Sequence, residues 1–154
     1  MSLIAKGKGD NDRGYQYLPD IATADVAFEA YGKTVEEMFT HAGLATEEVM
    51  VDLNTIKPVT KHKIELKNKD IGKLLYDFLE ELVFLKDKDL LLFNKFELKI
   101  THTQKEYHLQ GNMYGEVINQ KQHTLMCDVK AITLHMFNVE QTTTGWKARV
   151  VLDI

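Results

Sequence analysis

The stretch Asp25-Val26-Ala27-Phe28-Glu29-Ala30-Tyr31-Gly32-Lys33-Thr34 carries the chain from a turn through a strand to the start of a helix. Val26 to Tyr31 is rich in apolar and aromatic residues, which predicts a β-strand that Gly32 stops. Thr34 lies three residues before Glu37, and this capping box predicts the start of a helix. The stretch therefore predicts a fold in which a strand leads directly into a helix.

Two helices are predicted from apolar residues that recur on one face. The first follows Thr34 and ends near Val51-Asp52, and Gly43 within it indicates close packing or a kink. The second follows Asp70, a predicted N-cap, and the charged run Lys86 to Asp89 predicts its end. Its apolar stripe is wide, as suits a helix laid across a sheet. The apolar positions are Val35, Met38, Phe39, Ala42, Ala45 and Val49 in the first helix, and Ile71, Leu74, Leu75, Phe78, Leu79, Leu82, Val83 and Leu85 in the second.

Segments with alternating apolar and polar residues predict the remaining strands. Hairpins predominate after Leu90, where Phe96 to Ile100 alternates regularly. This order predicts an α+β fold, a two-layer sandwich in which two main helices pack on one side of a largely antiparallel, mixed β-sheet. The other predicted strands are residues 14–18, 62–66 (with Val59 on the wrong face), 107–114, 128–139 and 146–152.

Length and composition fit one globular domain of 154 residues with a sizeable core. Residues 1–14 are polar and glycine-rich, so we expect a flexible N-terminal leader before a single domain at 15–154. The single cysteine, Cys127, excludes an internal disulfide and a multi-cysteine metal site, and it favours a cytoplasmic protein. Neither a membrane span nor a signal peptide is visible.

The net charge of -4 argues against non-specific nucleic-acid binding by bulk charge, including binding to DNA. If RNA is involved, we expect a partner protein to hold it.

The common catalytic signatures are absent from the sequence. It contains no phosphate-binding glycine loop, no nucleophile elbow and no His-Glu-x-x-His motif. His102 and His108 could face each other across a hairpin as zinc ligands, although such pairs on exposed strands are more often coincidental. His123 and His135 are expected to make polar contacts. The carboxylate of Asp128 beside Cys127 disfavours a catalytic thiolate.

Three aspartates at the ends of predicted elements are the best candidate ligands. Asp25, Asp52 and Asp153 each have an ordinary structural explanation, because caps and turns also use aspartate. Asp153 and the terminal carboxylate of Ile154 together offer hard oxygen ligands for Mg²⁺, Ca²⁺ or Mn²⁺. We expect the fold to bring Asp25 and this end of the chain together around a cation. Lys130, in an apolar strand, is an exposed cation that has no assigned role on sequence alone.

Several longer motifs occur in a fixed order along the chain. They are Leu18-Pro19 with Thr23-Ala24-Asp25, Ala30 to Thr34, Leu74 to Leu82, Val129 to Thr133, and the ending Gly145 to Ile154. This set resembles the archease family, and the resemblance covers nearly everything from Tyr15 to Ile154. One departure concerns the first motif. The family usually reads His-Thr-Ala-Asp after Leu-Pro, whereas here Ala22 replaces the histidine and Asp20 and Ile21 are additional.

The resemblance implies a protein cofactor rather than an enzyme. Archeases activate the GTP-dependent RNA ligase of tRNA splicing, promoting its guanylylation and multiple turnover. By this resemblance, Asp25, Asp153 and Ile154 would form a divalent-cation site at one tip, and Asp52 and Lys130 would support activation. GTP and Mn²⁺ would belong to the ligase, and RNA would be reached only through it.

Two other functional classes stay open on the sequence. A metal-dependent hydrolase could use the same carboxylates, but it would have to turn over without the ligase. A general chaperone for RNA-processing enzymes would expose an apolar patch and act on unrelated clients. The sequence shows no long exposed apolar stretch, which counts mildly against the chaperone.

Overall fold

The computed structural model describes residues 13–19 and 25–154. Residues 1–12 of the predicted leader, and the positions Asp20, Ile21 and Ala22 that depart from the family pattern, lie outside these ranges. Within the ranges the elements are β1 (Tyr15–Tyr17), β2 (Val26–Gly32), α1 (Val35–Met50), a 3-10 turn (Leu53–Thr55), β3 (Thr60–Asn68), α2 (Ile71–Asp89), β4 (Leu91–His102), β5 (Tyr107–Val117), β6 (Ala131–Thr142) and β7 (Gly145–Asp153).

The described strands form two sheets, in the orders β1-β2-β7-β6 and β3-β5-β4. Each pairing between neighbouring strands is antiparallel. Both helices contact strands of both sheets, and one continuous apolar core lies between these elements. The predicted α+β class is confirmed, with the strands divided between two sheets instead of belonging to one.

The predicted helix starts are confirmed in atomic detail. The N–H of Glu37 donates to Thr34 Oγ1 at 3.1 Å, and the Glu37 carboxylate accepts from the N–H of Lys33 at 3.0 Å. Asp70 caps α2 by accepting from the N–H of Lys73 at 2.9 Å. These bonds satisfy N–H groups that have no partner within a helix.

Gly43 allows α1 to pack closely on the sheet. A Cβ at this position would lie 3.1 Å from Cζ of Phe96 and 3.3 Å from the ring of Phe78. Of the two roles predicted for this glycine, the structure shows close packing.

The predicted end of α2 at the charged run was wrong. The helix continues through Lys86 to Asp89, and its C-cap is Leu90 in the left-handed conformation, with φ 56°. Lys86 follows Leu82 by four residues and Leu79 by seven, so helical spacing places it on the buried stripe. Its side chain is buried. A run of charges therefore did not break the helix, because only part of the run faces solvent.

The segment before β6 pairs with the end of α1 instead of extending that strand. We call residues Thr124–Lys130 the strap. Leu125 forms an isolated antiparallel bridge with Val51, and the N–H of Met126 donates to the carbonyl of Met50 at 2.8 Å. The strap thus occupies the region where the sequence predicted the start of a strand at Asp128, and β6 begins only at Ala131.

The zinc-ligand hypothesis for His102 and His108 was wrong. His102 pairs with Tyr107, and Thr101 pairs with His108. His102 therefore lies on the same face as Tyr107, and His108, the neighbour of Tyr107, lies on the opposite face. The two histidines cannot bind one zinc ion. The rings of His102 and Tyr107 stack with their centroids 3.9 Å apart. His108 Nε2 lies 2.8 Å from a carboxylate oxygen of Glu65.

His123 makes polar contacts, as predicted. Its Nδ1 accepts from the N–H of Asn119 at 2.9 Å, and its Nε2 lies 2.9 Å from Glu116 Oε1. The first contact assigns the proton to Nε2, which then donates to the carboxylate. This pair fixes the chain between β5 and the strap.

Candidate metal and partner site

Asp25 and Asp153 lie at the same end of the four-stranded sheet. The last recorded pair between β2 and β7 joins Val26 to Leu152. Asp25 precedes Val26 and Asp153 follows Leu152, so the next step of the antiparallel register sets the two aspartates opposite each other. Side chains at directly opposed positions have Cβ atoms about 5 Å apart. The structure therefore puts two aspartates that are 128 positions apart in the sequence at the same end of the sheet.

Both aspartates are partly exposed, whereas the neighbouring residues Val26 and Leu152 are buried. Ile154 packs partly against the core, which fixes the position of the backbone beyond Asp153. In residues 13–19 and 25–154, Asp25 and Asp153 form no ion pair with a lysine, arginine or histidine. No group of three or more His, Cys, Asp or Glu side chains in the same ranges could hold a metal ion.

Lys130 is a backbone neighbour of Asp153. Its backbone N–H donates to the carbonyl oxygen of Asp153 at 2.8 Å, and the next residue, Ala131, pairs with Asp153 in the β6–β7 register. The side chain of Lys130 is exposed. Lys130 therefore adds a positive charge at the sheet end that carries Asp25 and Asp153.

Asp52 has a structural role of its own. One carboxylate oxygen accepts from the N–H of Asn54 at 3.0 Å, which caps the 3-10 turn, and the Asp52 N–H donates to the carbonyl of Thr124 at 2.9 Å. Among the described residues, no hydrogen bond or ion pair joins Asp52 to Asp25, Asp153 or Lys130. Asp52 instead anchors the first residue of the strap, whose last residue is Lys130.

The sequence analysis missed a buried lysine that holds the strap. Lys86 Nζ donates to the carbonyl of Val129 at 2.9 Å, lies 2.6 Å from Asp87 Oδ1 and also forms an ion pair with Asp128. Burial alone would lower the pKa of Lys86, but its hydrogen bonds to Asp128 and Asp87 outweigh this and raise the pKa. Lys86 is therefore charged, and it joins α2 to the strap.

A second missed group, Glu47, lies near Lys86 inside the core. Glu47 is fully buried, and neither carboxylate oxygen has a hydrogen-bond partner. Burial raises the pKa of Glu47 well above its ordinary value, although the backbone near Phe93 and the charge of Lys86 act in the opposite direction. Glu47 therefore stays protonated well above pH 4.5. Its spacing of four from Gly43 and three from Met50 was the available sequence signal for burial.

Comparison with known proteins gives the family. The model of the archease protein family matches residues 15–154. The chain belongs to the archease family. The resemblance inferred from the sequence motifs is thereby confirmed.

Archease relatives share both sequence and fold with this chain. The archease of Methanothermobacter thermautotrophicus is 38% identical over 142 residues, covering 92% of this chain and 99% of its own. A solution structure of a Methanobacterium thermoautotrophicum protein has a TM-score of 0.81 and 38% identity, with 92% and 99% of the two chains covered. The crystal structure of a Thermotoga maritima archease, described as a possible chaperone, has a TM-score of 0.56 at 19% identity, with coverages of 86% and 93%, and shows the fold alone.

These archease relatives are not named as enzymes. In the described part of this chain, no helix is both long enough and apolar enough to cross a membrane.

Proposed function

We propose that this archease-family protein activates the GTP-dependent RNA ligase of tRNA splicing in the cytoplasm. In this role it promotes guanylylation of the ligase and its repeated turnover, while GTP and Mn²⁺ belong to the ligase. The observation that carries the proposal is the β2–β7 register, which pairs Val26 with Leu152 and so puts the next residues, Asp25 and Asp153, at the same end of the domain. Strand ends of a packed sheet are stiff, so they can present these two carboxylates to a partner in a fixed geometry.

The donor chemistry of this end fits a divalent cation. Like charges at opposed positions of neighbouring strands repel each other. In the part of the chain that the structure describes, no lysine, arginine or histidine forms an ion pair with Asp25 or Asp153, so a bound cation would relieve this repulsion. Together with the terminal carboxylate of Ile154, they offer hard oxygen ligands of the kind that Ca²⁺, Mg²⁺ and Mn²⁺ prefer. When bound, such a cation supplies open coordination positions for phosphate or partner oxygens, since three protein groups do not fill its shell.

Lys130 and Asp52 support the same surface in different ways. The exposed ammonium of Lys130, whose backbone is bonded to Asp153, suits a phosphate or a carboxylate of the ligase. Asp52 positions the strap that leads to Lys130, through the hydrogen bond of its N–H to Thr124. The net charge of -4 favours docking beside a basic RNA-binding cleft of the partner.

The second candidate function, a chaperone for RNA-processing enzymes, is favoured by a different observation. Leu90, Val117, Leu125 and Met126 are exposed large apolar residues. Leu90 and Val117 are neighbours, because the N–H of Ile118, the residue after Val117, donates to the carbonyl of Leu90. Exposed apolar groups can hold unfolded clients, and the Thermotoga relative is described as a possible chaperone.

The test measures guanylylation of the cognate ligase and its multiple-turnover RNA joining, with and without the archease-family protein. Asp25→Asn and Asp153→Asn remove the charges and keep the side-chain size. Glu140→Gln is the matched control, because Glu140 is exposed, lies toward the opposite end of the β6–β7 pair from Asp153, and its substitution changes the net charge equally. Thermal melts confirm that each variant is folded.

We expect stimulation by the wild type and by Glu140→Gln, and a loss of at least about tenfold with either tip variant. Stimulation that survives both tip substitutions would overturn the role of the acidic end. Absence of stimulation by the wild type, combined with rescue of unrelated aggregating enzymes, would favour the chaperone instead.

A further inference from the structure

The outer face of the three-stranded sheet carries a concentration of lysines. Alternation along β3, β4 and β5 turns Ile64, Leu109 and Met113 into the core, where they are buried. The opposite positions are exposed along β3 and from Lys95 onward on β4, and on β5 they are half-buried except Gln110. The exposed positions include Lys61, Lys63 and Lys67 on β3 and Lys95 and Lys99 on β4, and we call the surface formed by these five residues the lysine face. Helices α1 and α2 contact this sheet from its apolar side.

The register arranges the lysine face in two lines that flank a central polar column. Tyr114 on β5 pairs with both Lys61 and Lys95, and Gln110 pairs with Lys99. Because neighbouring strands are about 4.8 Å apart, the lysine lines on β3 and β4 are separated by about 10 Å. Between them β5 presents His108, Gln110, Asn112 and Tyr114 to the same side.

The positive charge of the lysine face is only partly neutralised. Its two acids are Glu65, which contacts His108 at 2.8 Å, and Glu97, which accepts from the Tyr114 hydroxyl at 2.7 Å and lies 3.7 Å from Lys95 Nζ. The other four lysines form no ion pair in the described part of the chain. This surface therefore carries five lysines and two glutamates, a local excess of positive charge on a protein whose net charge is -4. The negative net charge argues against non-specific binding of RNA by the molecule as a whole, but the local positive charge still allows RNA to bind at this face.

We propose that the lysine face binds single-stranded RNA directly. Lysine ammonium groups in two lines suit the phosphates of an extended strand. The central column supplies what bases recognise, namely amide donors and acceptors on Gln110 and Asn112 and the ring of Tyr114, with Lys95 Nζ at 5.0 Å from its centroid. An open depression of about 450 Å³ is lined by Lys63, Lys99, Gln110 and Asn112, with one acidic side chain, Glu97, at its edge on β4.

A protein partner fits this face less well than RNA. Stable protein interfaces are centred on apolar or aromatic anchors and are depleted in lysine. Apart from Thr101, His108 and Tyr114, the outward positions beside these lysines are charged or amide-bearing. The apolar side chains of the same strands are turned inward, except Val117 at the end of β5. The choice of RNA over DNA rests on the proposed function. The binding measurement uses the protein alone, so its result does not depend on that function.

The experiment measures fluorescence anisotropy of a labelled single-stranded RNA of mixed sequence, titrated with the purified protein at low and at physiological salt. The face variant is the pair Lys63→Glu and Lys99→Glu. The matched control is the pair Lys33→Glu and Lys121→Glu, two exposed lysines outside the face that give the same change in net charge. A labelled polyglutamate serves as the competing polyanion, and the pair Gln110→Ala and Asn112→Ala tests the central column.

We expect salt-dependent RNA binding by the wild type, a loss of at least about tenfold in the face variant and a change within about twofold in the control. The Gln110→Ala and Asn112→Ala pair should weaken binding to RNA but not to polyglutamate. No RNA binding by the wild type at low salt, or equal losses in the face and control variants, would overturn the proposal. Equal binding of polyglutamate and RNA, with the same dependence on lysines, would show a site for acidic proteins instead. Ligase stimulation is scored separately, so either proposal can fail while the other stands.

Discussion

The backbone N–H of Lys130 donates to the carbonyl oxygen of Asp153 at 2.8 Å, and this bond ties the strap to the acidic end of the sheet. The other end of the strap is held by the bond from the N–H of Asp52 to Thr124. Asp52, Lys130 and Asp153 are therefore linked through one short segment, although no hydrogen bond or ion pair joins their side chains. We therefore expect a substitution that displaces the strap to shift the positions of all three residues.

Removal of one charge from the acidic end should stabilise the metal-free protein. Asp153→Asn relieves repulsion with Asp25, and we expect a gain of about 0.2–1 kcal/mol in the free energy of unfolding. In wild type, added Ca²⁺, Mg²⁺ or Mn²⁺ should raise the melting temperature by mass action, and in the variant this rise should be lost. Thermal melts with a chelator and with each cation measure both effects. An equal cation-dependent rise in wild type and variant would contradict the assignment of Asp153 as a ligand.

Glu47 should make stability fall as pH rises. Its folded pKa is raised, so between about pH 4.5 and that folded pKa the native state binds more protons than the unfolded state. The stabilising contribution is complete below the unfolded pKa and is lost with rising pH, by about 1.4 kcal/mol per pH unit inside this window. Glu47→Gln keeps the shape and removes the titration.

The Glu47 effect is measured by urea unfolding of wild type and Glu47→Gln from pH 4 to pH 8. The free energy of unfolding of the wild type, relative to the variant, should fall steadily above about pH 4.5. Glu81→Gln, on the partly exposed side of α2, is the control and should leave the pH profile of the wild type unchanged. Parallel profiles for wild type and Glu47→Gln would show that Glu47 ionises normally in the folded protein.

Loss of the Asp128 carboxylate should loosen the strap. Asp128→Ala removes an ion pair between Lys86 and the strap, at an expected cost of about 1 kcal/mol because Asp128 itself is exposed. Hydrogen exchange at the N–H groups of Met126 and Lys130 should become faster. Asp87→Ala is the matched control, because it also removes a carboxylate partner of Lys86 but one that lies on α2. Equal acceleration in both variants would mean that Asp128 has no special role in holding the strap.

Glu80 should protect the edge of the four-stranded sheet. Its carboxylate accepts from the N–H of Ile132 at 3.2 Å, on the edge strand β6, and Ile132 is buried. Glu80→Ala leaves this N–H without its partner, which should cost about 1–3 kcal/mol in urea unfolding. Glu80→Gln keeps an acceptor and should cost less, and Glu81→Ala should cost little. A loss as large in Glu81→Ala as in Glu80→Ala would indicate a general effect on helix α2 instead.

The elements with local signals were predictable from the sequence. The capping box at Thr34, the cap at Asp70 and the apolar stripe of α2 depend on neighbours within a few residues, and the structure has them where the pattern indicates. The end of α2 and the start of β6 were predicted at the wrong residues. In both places the deciding contacts join segments that are far apart in sequence, Lys86 with Asp128 and Val51 with Leu125.

The sequence by itself determined the α+β class, the two helices and the family, because each rests on residue types and spacings along the chain. It also singled out Asp25 and Asp153 as candidate ligands. Only the tertiary structure decided that they lie at neighbouring ends of adjacent strands, that His102 and His108 point to opposite faces, and that five lysines share one sheet face. The physical reason is strand register: a shift of one residue turns every side chain of a strand to the other face, and contacts with distant segments fix that register.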